Sequence, residues 1–165
     1  MQFRNLRAEE LEGSVDIPGL NEWLRSVGAT DTTVLILAPP GTGKAAAVGR
    51  LAHRLGRNVV MCNLMELFDY DDAPHQLENL LRICEAQRNC VIYLDKLDKA
   101  IDHWARTHDG STALAETLEP WLQRSKQRLL GDDCTVVFTG RDRAAVPASL
   151  IDKFDKTLDA VKTFA

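Results

Sequence analysis

The sequence lacks the features of several protein classes. Its 165 residues contain no uninterrupted apolar run of about 18 residues, which a membrane-spanning helix requires. Four cysteines occur, but none of them form a C-x-x-C pair, so neither a zinc site nor a redox motif is indicated. Neither sign of charge dominates, because 20 Lys and Arg stand against 24 Asp and Glu. A general attraction to nucleic acid or to anionic membranes is therefore not expected.

The composition is that of an ordinary soluble domain. Apolar residues make up 45% of the sequence and charged residues 27%, and the length is typical of one domain with a sizeable core. The first residues are not followed by the apolar core of a signal peptide. We therefore expect a cytoplasmic protein whose cysteines are buried free thiols in a reducing compartment.

One stretch organises the rest of the chain. The apolar run 32–38 leads into a Gly- and Pro-rich turn, 39–43, and a helix-forming run then extends from Lys44 to Leu55. This order of strand, turn and helix is that of a P-loop nucleotide site. Glycines let backbone N–H groups surround an anion, the helix start adds positive potential, and Lys44 adds a full charge. The alternative is a Pro-Gly turn that only joins a strand to a helix.

Two positions of the P-loop pattern G-x-x-x-x-G-K-[ST] are not met. Ala38 replaces the first glycine, and Ala45 replaces the final Ser or Thr. The second change matters more, because that hydroxyl normally ligates the magnesium ion of the nucleotide. A methyl group cannot act as a ligand.

Apolar strands alternate with helical patterns along the chain, which predicts a three-layer α/β sandwich around a five-stranded parallel sheet. The predicted strands are 32–38, 58–63, 91–94, 135–139 and 156–161; the predicted helices are 20–27, 44–55, 74–88, 112–130 and 146–151. We assign residues 1–15 to an N-terminal arm and residues 16–165 to the domain. Lys44, Asp95 and Gly140 each follow a strand, so we expect them to meet at one edge of the sheet.

The apolar strand that ends at Asp95 predicts a second part of the site. In P-loop enzymes such an acid binds magnesium, directly or through water, and the acid directly after it often polarises the attacking water. Lys96 stands at that second position here, and a protonated lysine cannot act as a general base. The alternative is that Asp95 simply ends the strand.

Several stretches together resemble the core of an AAA+ ATPase, and in particular the AAA branch. They are APPGTGK at 38–44, LDKLDK at 94–99, FTGR at 138–141 and ASLIDKFD at 148–155, where members of the branch read PPGTGKT, DEID, TN-R and ALLR…GRFD. The likeness extends from about residue 16 to the last residue. It implies the P-loop α/β subdomain alone, because the helical lid that follows it in the family has no counterpart in this sequence.

The resemblance also implies a set of ligand contacts. Ile17 and Gly19 stand where the family's I-G-G segment touches adenine. The cofactor would be ATP or ADP, and Asp95 would face a magnesium ion. The full set of nucleotide contacts implied is Ile17, Gly19, Pro40, Gly41, Thr42, Gly43, Lys44 and Ala45.

Departures from the family pattern bear on the function. Ala45 stands at the magnesium hydroxyl, Lys96 at the catalytic glutamate, Gly140 at the sensor asparagine, and Lys153 at the arginine that reaches into a neighbouring subunit. These changes predict a pseudo-ATPase that binds ATP or ADP weakly, with little dependence on magnesium, and serves as a scaffold or interaction module. Losses of such groups typically raise a reaction barrier by about 2–4 kcal/mol each, although not additively.

Other functions stay open at this point. An active ATPase subunit would need catalytic groups from a partner chain or from Asp98, three residues past Asp95. A nucleotide or small-molecule kinase is less expected, since no arginine-rich lid or acceptor pocket is readable. The partner is predicted to be an AAA+ subunit, in a homo- or hetero-oligomer, or another protein, and neither nucleic acid nor membrane. Tyr70 lies near the family's pore loop, but the aromatic signature there is replaced by Tyr70-Asp71-Asp72.

Overall fold

The helices and strands follow the order expected of an α/β domain. The computed structural model describes residues 2–28, 30–125 and 133–160. The strands are β1 (Arg4–Leu6), β2 (Thr33–Leu37), β3 (Asn58–Asn63), β4 (Cys90–Asp95), β5 (Cys134–Gly140) and β6 (Lys156–Asp159). The helices are α1 (Leu20–Ser26), α2 (Lys44–Leu55), α3 (Ala73–Ala86), α4 (Leu97–Thr107), α5 (Ala113–Arg124) and α6 (Ala148–Ile151). Short 3₁₀ turns occur at Ala8–Leu11, Leu64–Asp69 and Arg143–Ala145.

The strands form one sheet in the order β1-β3-β4-β5-β2-β6. The five strands from β2 to β6 are mutually parallel where they pair, which confirms the predicted fold class. The N-terminal residues, which we had assigned to an arm, supply the sixth strand: β1 pairs antiparallel with β3. The sheet is therefore parallel apart from one short strand at its edge.

Helices cover both faces of the sheet. Alternate residues of β2 face opposite layers: Val34 and Ile36 pack in one buried cluster, and Leu35 and Leu37 pack in the other. The first cluster includes residues of α1 and α2, and the second includes residues of α3, α4 and α5. Strands buried on both faces become continuously apolar, which is why β2 and β4 were readable from the sequence.

The cysteines contribute to this core. The four of them, Cys62, Cys84, Cys90 and Cys134, are free and buried, as expected. Burial raises the pKa of Cys62 to about 12, and a hydrogen bond to Glu66 acts in the same direction. A thiol with such a pKa stays protonated at neutral pH and packs as a small apolar group.

The 3₁₀ turn Ala8–Leu11 packs closely against α2. A Cβ atom placed on Gly49 would lie 2.9 Å from the Cβ of Leu11 and 3.1 Å from the carbonyl oxygen of Ala8. Only a glycine in the middle of α2 therefore lets the N-terminal segment approach the helix at this distance.

The largest differences from the sequence prediction concern two helices, while three others, α1, α3 and α6, differ from it by one or two residues at an end. Helix α4 was not predicted; it begins after Lys96, which adopts a left-handed conformation with φ +67°. Helix α5 ends at Arg124, whereas the prediction continued to residue 130, and residues 126–132 lie outside the described residues. In the described part of the chain, no helix has the length and apolar character needed to cross a membrane.

Candidate functional site

The turn between β2 and α2 has the backbone form of an anion-binding loop. Gly41 and Gly43 adopt left-handed conformations, with φ +79° and +91°, that side chains rarely tolerate. Gly43 is the residue that precedes the first turn of α2, so the unpaired N–H groups of the helix start point into the loop. The backbone N–H of Ala38 donates to the carbonyl oxygen of Gly140 at 3.1 Å, which fixes the loop against the end of β5.

The side chain of Lys44 folds back over this loop. Its Nζ donates to the carbonyl oxygens of Ala38, at 3.0 Å, and of Pro39, at 3.4 Å. The Thr42 hydroxyl donates to the same Pro39 carbonyl at 2.6 Å. Burial lowers the pKa of Lys44 from its ordinary value, against the opposing effect of Asp95 and of a second acid in the site.

The N-terminal segment lies directly on the loop. The N–H of Asp16 donates to the carbonyl oxygen of Thr42 at 2.8 Å. A Cβ atom on Gly43 would collide with the carbonyl oxygen of Ser14 and would lie 3.1 Å from Cα of Val15. The chain just before Ile17 is therefore held against the P-loop.

Asp95 ends β4 and already has a hydrogen-bond partner. The hydroxyl of Thr139 donates to its Oδ1 at 2.7 Å. Each residue directly follows a paired position of the neighbouring strands, Leu94 with Phe138, so the sheet register brings them together. One carboxylate oxygen that a metal could use is thus bound by the protein itself.

Asp98 occupies the space beside Gly140. Its side chain is 3% exposed, and its Oδ2 accepts a hydrogen bond from the N–H of Asp142 at 2.9 Å. A Cβ atom on Gly140 would lie 3.1 Å from its Oδ1. The carboxylate therefore stands close to where the side chain of residue 140 would begin.

These groups surround a cavity of about 210 Å³. Its lining consists of Pro40, Gly41, Lys44, Asp95, Lys96, Asp98, Lys99, Gly140 and Arg141. The cavity joins the P-loop to the ends of β4 and β5, at the carboxyl edge where the sequence placed the site.

The other predicted contacts lie outside the lining of this cavity. Thr42, Gly43 and Ala45 belong to the loop and the first turn of α2. Ile17 and Gly19 line a separate cavity of about 380 Å³ beside α1. Lys99 and Arg141 were not singled out as site residues, although both stood in the stretches that carry the resemblance; only the fold shows that their side chains share a cavity with Lys44.

The comparisons with known proteins agree with this geometry. A family model, "ATPase family associated with various cellular activities (AAA)", matches residues 34–160. The chain belongs to the AAA family. No curated protein matches it.

Solved structures with the same fold include three AAA-type proteins. They are the FIGL-1 AAA domain in complex with ADP (16% identity, TM-score 0.61), a variant of RuvB from Thermotoga maritima (18%, 0.56) and PCH-2 from C. elegans (13%, 0.58). The alignments cover 88%, 85% and 99% of this chain but 53%, 42% and 49% of those chains. The chain therefore spans about half the length of these structures, and at such identities the likeness shows the fold alone.

The AAA fold implies a nucleotide-bound magnesium ion, and the residues here lack part of its expected donor set. Ala45 presents a methyl group where the hydroxyl ligand is expected, which leaves the carboxylates of Asp95 and Asp98, each accepting one hydrogen bond, as the acidic donors of the cavity. Lys96 and Lys99 line the same cavity and would repel a divalent cation.

Proposed function

We propose that this AAA-type domain is a cytoplasmic pseudo-ATPase: it binds ATP or ADP at the P-loop, does not hydrolyse ATP, and serves as a scaffold or interaction module beside AAA+ subunits or another protein. The family match supports an ATPase-type domain, and the departures at the site argue against turnover. The two parts of the proposal are tested by different measurements.

The observation that carries the proposal is the contrast between the loop and the strand ends. The loop keeps Gly41 and Gly43, its helix start and Lys44, which are the parts that bind an anion. At the strand ends, Asp95 is held by Thr139, and the next residue, Lys96, cannot take a proton from water while it is charged. Binding needs only the loop, whereas hydrolysis needs both.

Because a methyl group replaces the hydroxyl ligand and lysines line the cavity, we expect nucleotide binding to depend little on magnesium. The phosphate charge would be met by lysine instead of by a divalent ion, and Lys96 lies in the cavity that the outer phosphates would enter. Within the described residues Lys96 forms no ion pair with Asp95 or Asp98, which supports its contact with a phosphate. We expect ADP affinity to change less than about threefold when magnesium is replaced by a chelator, a difference below about 1 kcal/mol.

Two measurements test the proposed function. Isothermal titration with ADP should show binding that Lys44→Ala abolishes, because the loop lysine is the charge common to all phosphates. Lys96→Ala should weaken ATP binding; unchanged affinity would remove Lys96 from the site. A phosphate-release assay with magnesium and ATP should show no turnover, and a rate of even about 1 s⁻¹, low for an enzyme, would overturn the proposal.

The interaction role follows from what remains when hydrolysis is absent. Lys153, at the position of the family's trans-acting arginine, presents a single ammonium group and cannot form a planar bidentate contact with a neighbour's phosphate. The domain would then add binding surface to an assembly without completing the site of its neighbour. In a mixture with an intact AAA+ ATPase to which it binds, Lys153→Ala should leave the partner's turnover unchanged.

A further inference from the structure

Three cations face Lys44 across the cavity at the strand ends. Lys96 and Lys99 come from the start of α4, and Arg141 follows the last residue of β5. Together with Lys44 they give the cavity four cationic side chains against two carboxylates, a formal charge of +2. A charge of this sign concentrated beside a P-loop favours an anion with several negative charges.

The carboxylates of the cavity do not neutralise these cations by direct contact. Asp95 accepts from the hydroxyl of Thr139 at 2.7 Å, and Asp98 accepts from the N–H of Asp142 at 2.9 Å. Among the described residues, none of the four cations has an ion pair within 4.0 Å, whereas two other arginines, Arg106 and Arg143, do. Lys44 donates to the carbonyl oxygens of Ala38 and Pro39, so among the described residues the other three cations, Lys96, Lys99 and Arg141, are the ones left for a ligand.

The backbone places these side chains together. Lys96 holds a left-handed conformation, φ +67°, which is uncommon for a residue with a side chain. Lys99 lies in the first turn of α4, and both lysines line the cavity. Arg141 is close enough to Lys44 to help lower the pKa of that lysine, although burial is the main cause.

The space between them is open because residue 140 has no side chain. Gly140 stands between Thr139, which holds Asp95, and Arg141, which lines the cavity. A larger residue at this position would project toward the carboxylate of Asp98. The missing side chain at position 140 therefore leaves room for a tetrahedral oxyanion beyond the P-loop.

We propose that Lys96, Lys99 and Arg141 form a subsite for the terminal phosphate of a nucleoside triphosphate and replace the divalent cation there. The inference rests on the proposed function, since the P-loop must first bind the rest of the nucleotide. It adds a selectivity: without metal, the site prefers a triphosphate to a diphosphate, because the third phosphate reaches the three cations. The ligand class is a metal-free nucleoside triphosphate.

The test compares ATP with ADP by isothermal titration in a chelator. In the wild type we expect ATP to bind about tenfold more tightly than ADP, which corresponds to about 1.4 kcal/mol. The double variant Lys99→Gln, Arg141→Gln should bring the two affinities to within about twofold by weakening ATP and leaving ADP nearly unchanged. Arg106→Gln, which loses only an exposed pair with Asp102, serves as the control and should keep the wild-type ratio.

A second measurement uses polyphosphates, which carry neither the base nor the sugar of a nucleotide. Tripolyphosphate should displace a fluorescent ADP from the wild type more strongly than pyrophosphate does, and the double variant should lose this difference. Raising the salt concentration should weaken ATP more than ADP, because more charge is neutralised in the complex. Thermal unfolding of each variant verifies that it is folded.

The outcomes separate the inference from the function on which it rests. If the wild type binds ATP and ADP equally in chelator, and Lys44→Ala abolishes both, the subsite is wrong and the proposed function stands. Equal weakening of ATP and ADP in the double variant also overturns the subsite, since the cations would then act on the shared phosphates. If the wild type binds neither nucleotide, with or without magnesium, the proposed function itself fails.

Discussion

At residue 45, one methyl group stands where the AAA pattern has a hydroxyl. Ala45 follows Lys44 in the first turn of α2, and it is partly buried beside the core cluster that contains α1 and α2. The hydroxyl is the protein's own ligand to the nucleotide's magnesium in P-loop proteins. On the proposed function, we expect the absence of this hydroxyl, more than any change in the loop backbone, to uncouple phosphate binding from the metal.

Ala45→Ser should restore part of that coupling. Serine adds one oxygen atom to alanine, so the loop should accept it without rearrangement. We expect ADP affinity in magnesium to exceed that in chelator by about five- to tenfold in the variant, against less than about threefold in the wild type. Titrations of both proteins under both conditions provide the check. If magnesium changes the ADP affinity of the variant and of the wild type equally and only slightly, the missing hydroxyl at position 45 is not the cause of the weak dependence on magnesium.

The residue before Lys44 shows a different constraint, which comes from the N-terminal segment. Gly43→Ala would add a methyl group that collides with the carbonyl oxygen of Ser14, in addition to the strain of a side chain at φ +91°. Urea denaturation should show a loss of about 2–4 kcal/mol, the sum of the left-handed strain and of overpacking.

Gly41→Ala separates these two contributions. Gly41 has a similar φ of +79°, but nothing lies within 4 Å of its missing Cβ. It should therefore show the left-handed strain alone, about 1–2 kcal/mol. If both variants lose the same stability, Ser14 does not press on the loop in solution.

At the scale of elements, the parts that the sequence predicted best have clear signals at both ends. Helix α2 was predicted with the bounds that it has, because Gly43 and Gly56, both left-handed, stand on either side of it. Strand β3 also has its predicted bounds, Asn58–Asn63; it follows a glycine-terminated helix, and the side chain of Asn63 caps the 3₁₀ turn Leu64–Asp69 after it. Such boundaries come from backbone chemistry that a sequence displays directly.

The elements that the sequence did not predict lack such signals. Helix α4 begins directly after a lysine in a left-handed conformation, at a position for which glycine or a short polar residue is the usual indicator. Strand β1 has three residues, too few for an alternating pattern to be recognised. The missing prediction of α4 explains why Lys99 was not assigned to the site. Its place in the cavity follows only once α4 is known to begin directly after β4.

Helix α2 provides a test at this scale, because its central glycine opposes helix propensity. In an unobstructed helix, Gly49→Ala would stabilise the protein by about 0.5–1 kcal/mol. Here the new Cβ would lie 2.9 Å from the Cβ of Leu11, so the 3₁₀ turn would have to move away. We expect no gain in the free energy of unfolding and faster amide exchange in residues 8–14. A clear stabilisation with unchanged exchange would show that the turn does not depend on this contact.

At the scale of the molecule, the sheet order concentrates the site. The three strand ends that line the cavity belong to β2, β5 and β4, which are adjacent in the sheet. The interstrand distance of about 4.8 Å then places the P-loop, Arg141 and Asp95 within reach of one phosphate chain. Parallel strands of similar length made this edge predictable, whereas the contents of the cavity depended on the register of β4 against β5.

The N-terminal segment connects distant parts of this architecture. Strand β1 extends the sheet beyond β3, the turn Ala8–Leu11 covers α2, and Asp16 donates to the carbonyl oxygen of Thr42 in the loop. A nucleotide that fixes the loop therefore also favours the docked segment, and by linkage the docked segment favours the nucleotide.

Two truncations separate the parts of this connection. Removing residues 1–7 deletes β1 but keeps the contact of Asp16 with Thr42, so it should lower the melting temperature while ADP affinity stays within about twofold. Removing residues 1–16 also deletes the contact with the loop, and ADP affinity should fall by about tenfold or more. In the intact chain, hydrogen exchange provides the same information without truncation: ADP should slow exchange at the N–H of Asp16 more than in β1. Equal affinity in the two truncated proteins would mean that the segment stabilises the fold without assisting the site.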